Sequence, residues 1–237
     1  MINEKITAAF ILAAGFGTRL KPFTDTLPKA LVPYKGTPMI ENVISVLKKF
    51  GVTDFYINTH HFADKMEKYF SDRIGSEKIT LIHEENILGT GGALKNAEKF
   101  LEKNENFYVY NTDVDCDADL NELSSFHLQT KSIASLCVQK RKTSRYLLCD
   151  EQNRLIGRTE DGIDKIYASE KHNITFSKKA FCGIHVVSSK IFKYLKSESN
   201  RFDIIPLYMK LLTNNEKIKV FDISDKNWKD LGIPENL

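Results

Sequence analysis

Cysteine is scarce and scattered in this chain: Cys116, Cys137, Cys149 and Cys182 form no CxxC pair and have no histidines at zinc spacing. That excludes a disulfide framework and a structural zinc site, and fits a reduced, cytoplasmic protein. No apolar run is long enough to span a bilayer. The longest, Ala8 to Ala14, falls far short of the roughly 20 residues required. It follows Glu4 and Lys5 and ends at Gly15, so it does not read as a signal peptide. Dense blocks of one charge are missing too. The 34 basic and 31 acidic residues leave a net charge of +3, which gives no electrostatic case for nucleic acid and a weak one for small anions. Linkers, repeats and low-complexity tracts are absent. With 237 residues, 42% of them hydrophobic, the chain can bury one sizeable core.

What is present is alternation. Ala8–Ala14 reads as a fully buried strand, and Phe55–Asn58, Ile79–Ile82 and Phe107–Tyr110 read as further strands. Between them lie helical patterns. Thr37 is placed to cap a helix with Pro38 at its first position; Ile40, Val43, Ile44, Leu47 and Phe50 form one face, and Gly51 ends it. Phe62, Met66, Tyr69 and Phe70 make a second helix, Ala93 to Leu101 a third, and Leu120, Leu123 and Leu128 another. This order predicts βαβ units in an α/β fold. After about residue 140 the alternation fails. Arg145–Cys149 and Arg154–Gly157 read as a hairpin, Thr159–Lys179 is polar and aperiodic, Phe181–Val187 is a strand, Arg201–Leu212 a helix and Lys217–Ile223 a late strand.

Three segments carry chemistry. The first follows the opening strand: Gly15 and Gly17 allow close backbone approach to a ligand, while Arg19 and Lys29 supply cations suited to phosphate. A dinucleotide fingerprint fails because Leu20 takes its third glycine position and Pro22 follows; a P-loop fails because no GK[ST] occurs. The second is Asn111-Thr112-Asp113-Val114-Asp115-Cys116-Asp117 at a strand end. Asp113 suits Mg²⁺, which takes one or two carboxylates plus substrate phosphates. An EF-hand fails at Ala118 and Ser124. Asp115, Asp117 and Asp119 read instead as an acidic turn capping the next helix. The third is Trp228-Lys229-Asp230-Leu231-Gly232, whose Asp230 could complete a two-carboxylate site, although spacing alone cannot pair it with Asp113.

Taken together these segments resemble the sugar-1-phosphate nucleotidyltransferases, or NDP-sugar pyrophosphorylases. LAAGFGTRLKPFTDTLPKALVP, Leu12 to Pro33, follows the signature AAGxGTRLxPxTxxxPKxLxP. LGTGGAL (Leu88–Leu94) resembles the base-proximal loop, NTDV (Asn111–Val114) the "NGD" metal segment, and WKDLGIPE (Trp228–Glu235) the closing "WxDxGTPE". The resemblance implies a Rossmann-like (GT-A-like) fold, a mainly parallel mixed sheet with helices on both faces. It implies one nucleotidyltransferase domain over 1–237, with a nucleotide-binding half at 1–140 and a sugar-phosphate-binding half at 141–237. Its implied nucleotide-binding residues are Leu12, Ala13, Ala14, Gly15, Gly17, Thr18, Gly89 and Thr90; Glu84, just before the base-proximal loop, reads either as a nucleotide-binding residue contacting the base or as a solvated charge. Arg19 would hold the departing pyrophosphate, Lys29 would neutralise the α-phosphate and sugar phosphate, and Asp113 and Asp230 would hold Mg²⁺. Asn111 and Gly183 would contact substrate.

The implied reaction is Mg²⁺-dependent transfer of a nucleotidyl group from an NTP to a sugar 1-phosphate, with no nucleic acid or membrane partner and no oligomeric state specified. The missing "EKP", the short chain and Phe181-Cys182-Gly183-Ile184 make it most similar to the compact N-acetylmuramate-1-phosphate uridylyltransferase type, which favours UTP. Guanylyl transfer to mannose 1-phosphate and cytidylyl transfer to phosphocholine are the alternatives. A GT-A glycosyltransferase using Asp113-Val114-Asp115, or a nucleotide-sensing subunit, are readings of another class. Arg19 and Lys29 argue against the first, and retention of Lys29, Asp113 and Asp230 against the second. Thr112 stands where the family has Gly or Ala, and Ile233 where it has Thr. The chain stops at Leu237, where relatives usually continue a last helix, which leaves truncation open. His60, His61, Phe16 and Tyr34 read as loop or packing residues, and His185 as a core histidine.

Overall fold

The computed structural model describes residues 5–73, 75, 77–169 and 175–237; the 170–174 part of the aperiodic stretch lies outside them. The elements are β1 (Ala8–Leu12), β2 (Pro33–Tyr34), β3 (Thr37–Pro38), α1 (Met39–Lys49), β4 (Asp54–Thr59), α2 (Ala63–Ser71), β5 (Lys78–His83), α3 (Gly89–Asn96), α4 (Glu98–Leu101), β6 (Asn106–Asn111), β7 (Val114–Cys116) and α5 (Leu120–Thr130). Then follow β8 (Ala134–Gln139), β9 (Tyr146–Asp150), β10 (Leu155–Glu160), β11 (Ile163–Ile166), β12 (Phe176–Ser188), α6 (Phe192–Leu195), α7 (Ile204–Thr213), β13 (Ile218–Asp222) and β14 (Trp228–Asp230).

The main sheet runs β11-β10-β9-β12-β6-β1-β4-β5, with β8 also on β12 and β13 on β8. Strands β6, β1, β4 and β5 are parallel, as alternation with helices requires. Within this sheet, the antiparallel strand pairings among the described residues all involve β9 to β12. Helices cover both faces, and β1 shows why its sequence is uniformly apolar. Ala8 and Phe10 face a core with α3, α4 and α7, while Ala9 and Ile11 face another with α1 and α5.

Three local expectations are corrected. Thr37 does not cap α1: it pairs with Tyr34 in the β2–β3 hairpin, and the helix begins after Pro38. The helix expected over Ala93–Leu101 is two, joined at Ala97. The strand expected at Phe181–Val187 begins at Phe176; its polar start, Ser177 to Lys179, pairs with β9 and hid the strand from a hydrophobic pattern. The 145–157 hairpin and the late strand are found as expected.

All four cysteines are buried thiols. Two buried histidines sit in the core. His127 lies between Ser135 Oγ at 2.9 Å and Asn106 Oδ1 at 3.0 Å, and the Tyr208 hydroxyl meets His185 Nδ1 at 2.9 Å. Burial pushes them down, His127 to about 4 and His185 to about 3. The unfolded chain, near the ordinary histidine value, therefore takes up these protons first as pH falls through about 6.5. Stability is full above that pH and declines below it, by about 2 kcal/mol per histidine at pH 5. The urea midpoint should drop clearly between pH 7 and pH 5; an unchanged midpoint would contradict this burial.

Candidate active site

The carboxyl ends of β1, β4, β5 and β6 share one edge, where open α/β sheets bind ligands. A cleft of about 260 Å³ opens there, lined by Leu12, Ala14, Gly15, Lys29, Glu84, Gly89, Thr90, Asn111 and Asp113 from the expected set. Asn58, Ile87, Thr112 and Asp203 line it as well. Gly17 starts the turn that carries Thr18 and Arg19. Its φ of +64° is left-handed, and an added Cβ would stand 2.8 Å from Thr24 Cγ2 and 3.0 Å from Lys29 Cβ, so only glycine fits.

Glu84 is buried and is not a solvated charge. Asn58 Nδ2 donates to its Oε1 at 2.7 Å, and the Leu88 amide donates to its Oε2 at 3.1 Å. Asn58 Oδ1 in turn accepts the Ala13 amide at 2.6 Å. This chain of bonds ties β1, β4 and the base-proximal loop together, and it uses Ala13 as a backbone anchor rather than a cleft wall. A polar Asn58 closing an apolar strand was the available sign of it, since a buried amide needs such partners.

The base-proximal loop is held from the other half of the chain. Gly91 and Gly92 amides donate to Phe202 O at 2.9 and 3.0 Å. Thr90 and Asp203 exchange caps: the Ile204 amide donates to Thr90 Oγ1 at 2.9 Å, and the Thr90 amide approaches Asp203 Oδ1 at 3.4 Å. Asp203 thereby enters the cleft wall, a position no motif announces.

The acidic segment divides by position. Asp119 caps α5, as expected, accepting the Asn121 amide at 2.7 Å. Asp115 and Asp117 do not cap: Tyr34 OH donates to Asp115 at 2.8 Å, and Asn227 donates to Asp117. Asp113 faces the cleft and pairs with Lys29. The two-stranded ribbon β7–β14 sets Asp230 opposite Val114, and the Leu231 amide donates to Asp113 O at 2.7 Å. Arg19 Nη1 lies 3.3 Å from Asp230 Oδ2, whose partner Oδ1 accepts the Gly232 amide at 2.8 Å. A Cβ on Gly232 would lie 2.8 Å from Asp113 Oδ2, 2.9 Å from Asp230 Oδ1 and 2.7 Å from Arg19 Nη2. Arg19, Lys29, Asp113 and Asp230, collected from both ends of the chain, form one cluster. Gly183, with φ +74°, packs against Asn111 and Val114 at its edge.

A family model described as nucleotidyl transferase matches residues 8–237. The chain belongs to that family. It is 32% identical over 235 residues, 95% of its length, to a mannose-1-phosphate guanyltransferase of Debaryomyces hansenii. The chain spans about three fifths of the length of the curated relatives it matches, 61% in that case. HddC from Yersinia pseudotuberculosis, solved in complex with GMP-PN, superposes at a TM-score of 0.77 with 25% identity, covering 98% of this chain and 96% of that one. The inositol-1-phosphate CTP transferase of T. maritima shares the fold, with a TM-score of 0.78 at 20% identity over 98% of this chain and 91% of its own.

For a member of this family the donor set fits a hard divalent cation. Two carboxylates approach one point, and among the described residues no group of three or more His, Cys, Asp or Glu forms a complete protein cage. A pair of carboxylates completed by substrate phosphates and water is the usual environment of Mg²⁺. Phe16, read from the sequence as packing, is instead 48% exposed beside the His60 and His61 rings at 5.5 and 5.6 Å. No helix among the described residues is long and apolar enough to cross a membrane.

Proposed function

We propose that the protein transfers a nucleoside monophosphate from an NTP to a sugar 1-phosphate. The observation that carries this reading is the convergence of Arg19, Lys29, Asp113 and Asp230 around Gly232. A phosphate oxygen of the acceptor attacks the α-phosphorus in line; the bond to the β-phosphate bridging oxygen breaks, and pyrophosphate leaves with that electron pair. Lys29 faces the α-phosphate and Arg19 the departing pyrophosphate, while Asp113 and Asp230 would hold a metal, which when bound would supply charge neutralisation for the transferring phosphates. Leu12, Ala14, Gly15, Gly17 and Thr18 present the phosphate loop, and Glu84, Gly89 and Thr90 flank the base. The half at 141–237 receives the sugar phosphate beside Asn111 and Gly183. Positioning and electrostatics suffice, with no covalent protein intermediate.

GTP with mannose 1-phosphate is the pair to test first. Glu84 carries only acceptors, and each of its oxygens, already accepting one bond, keeps a free lone pair. Guanine presents two adjacent donors, N1–H and N2–H₂, to such a carboxylate, whereas uracil offers a single N3–H. The guanyltransferase relative points the same way. UTP with an amino-sugar 1-phosphate, the pair favoured by the sequence, is the second arm. The test is pyrophosphate release with Mg²⁺, the four NTPs being crossed with a panel of sugar 1-phosphates and phosphocholine. Release with GTP at least ~10-fold faster than with UTP is expected. Silence of the folded protein across the panel would overturn the assignment.

A further inference from the structure

A sugar 1-phosphate needs its own cation, and the cations already placed are committed. Lys29 is paired with Asp113, Arg19 with Asp230, and the buried Lys179 with Asp222. One guanidinium near the site is different. Arg141, half-buried after β8, meets no carboxylate among the described residues. It lies over the Trp228 ring at 4.0 Å, donates from Nη2 to Phe181 O at 2.7 Å, and has a buried Nε with no partner.

Its neighbours lead to the reacting cluster by two routes. Trp228 and Asp230 are two residues apart on β14 and so project to the same side of the ribbon, about 7 Å apart along it. Phe181 and Cys182 open the β12 bulge, where Trp228 Nε1 donates to Cys182 O at 2.9 Å, and Gly183 follows against Asn111 and Val114. Arg141 thus touches two residues that each stand two positions from the cluster, Trp228 from Asp230 on β14 and Phe181 from Gly183 on β12.

We propose that Arg141 binds the phosphate of the acceptor sugar 1-phosphate. A half-buried guanidinium that meets no carboxylate gains from an arriving anion, and its fork suits two phosphate oxygens. The tryptophan stack and the Phe181 carbonyl fix its plane in advance, which lowers the cost of ordering it on binding. The inference rests on the nucleotidyl-transfer reading and names which residue serves the acceptor.

Arg141→Gln and Arg141→Lys test it against wild type, using the active NTP–acceptor pair. For Arg141→Gln the acceptor KM should rise at least ~10-fold, while the NTP KM and the Mg²⁺ concentration for half-activation stay within ~2-fold; Arg141→Lys should recover part of the loss. Calorimetric binding of the sugar 1-phosphate alone should weaken in parallel. A purely structural role, acting through Trp228 on β14, would disturb Asp230 and shift the Mg²⁺ requirement as well, and that result overturns the proposal. So does an unchanged acceptor KM in a folded variant. Wild-type protein without turnover on any pair would instead sink the underlying nucleotidyl-transfer reading, a result separable from failure of Arg141.

Discussion

Asp113→Asn and Asp230→Asn are each expected to lower pyrophosphate-releasing turnover by ~10²–10³-fold while leaving a folded protein, a loss on the scale of removing a preorganised electrostatic group from a transition state. Asparagine keeps the size of the side chain and an oxygen. At position 230 that oxygen can still accept the Gly232 amide, and the Leu231 amide still finds the backbone carbonyl of residue 113. What vanishes is a negative charge. The two positions are not equivalent: the Lys29–Asp113 pair is largely shielded, with side chains 13% and 17% exposed, whereas Arg19 is 58% exposed beside Asp230. Loss of the Asp113 charge leaves Lys29 uncompensated in the drier place, so Asp113→Asn should also lower the thermal midpoint more than Asp230→Asn. Kinetics at saturating substrates with a melting curve on the same preparations decides it. Near-wild-type turnover in either variant would remove that carboxylate from the chemistry.

The second large effect concerns the cleft wall. Gly92→Ala should destabilise the fold by about 2–3 kcal/mol, as overpacking of a tight contact does, and lower the melting temperature by roughly 5–10 °C for a domain of this size. A Cβ at position 92 would stand 2.2 Å from the Asn200 carbonyl oxygen. That obstacle is backbone and cannot swing aside like the end of a side chain. Relief would push segment 200–204 away from α3, breaking the Phe202 O bonds from Gly91 and Gly92 and the Thr90–Asp203 exchange. The NTP KM should therefore rise along with the loss of stability. Gly15→Ala is the control, since a Cβ there meets nothing within 4 Å; its melting temperature should stay near that of wild type. A Gly92→Ala protein as stable as wild type would show that the interlock is loose.

Much of this was legible in the sequence, for reasons that can be stated. Runs such as Ala8–Leu12 are apolar on both faces because helices cover both, and the helices between them keep their period. The loop from Gly15 to Lys29 is local, so its cations and glycines are read together. Asp113 could be picked from its acidic neighbours because it stands nearest the end of β6. The rest depends on pairings that leave no periodic trace. Strands β7 and β14 have three residues each, too short for alternation to show, and nothing in their spacing says that Asp230 lies beside Asp113. Asp203 reaches the cleft through contacts with Gly89 and Thr90, which lie far away in sequence. Asn58 and Glu84 were separable as residues, but their bond was not. Arg141 carried no signal until the Trp228 ring was placed under it.

The β7–β14 ribbon also sets an order of events. The sheet strands that shape the nucleotide cleft are complete once β6 has been made, yet the second carboxylate arrives more than a hundred residues later. A chain still emerging from the ribosome can thus lay down the strands of that edge before Asp230 exists, because β14 follows β6 by more than a hundred residues. The carboxylate pair is completed only when three residues of β14 dock onto three of β7.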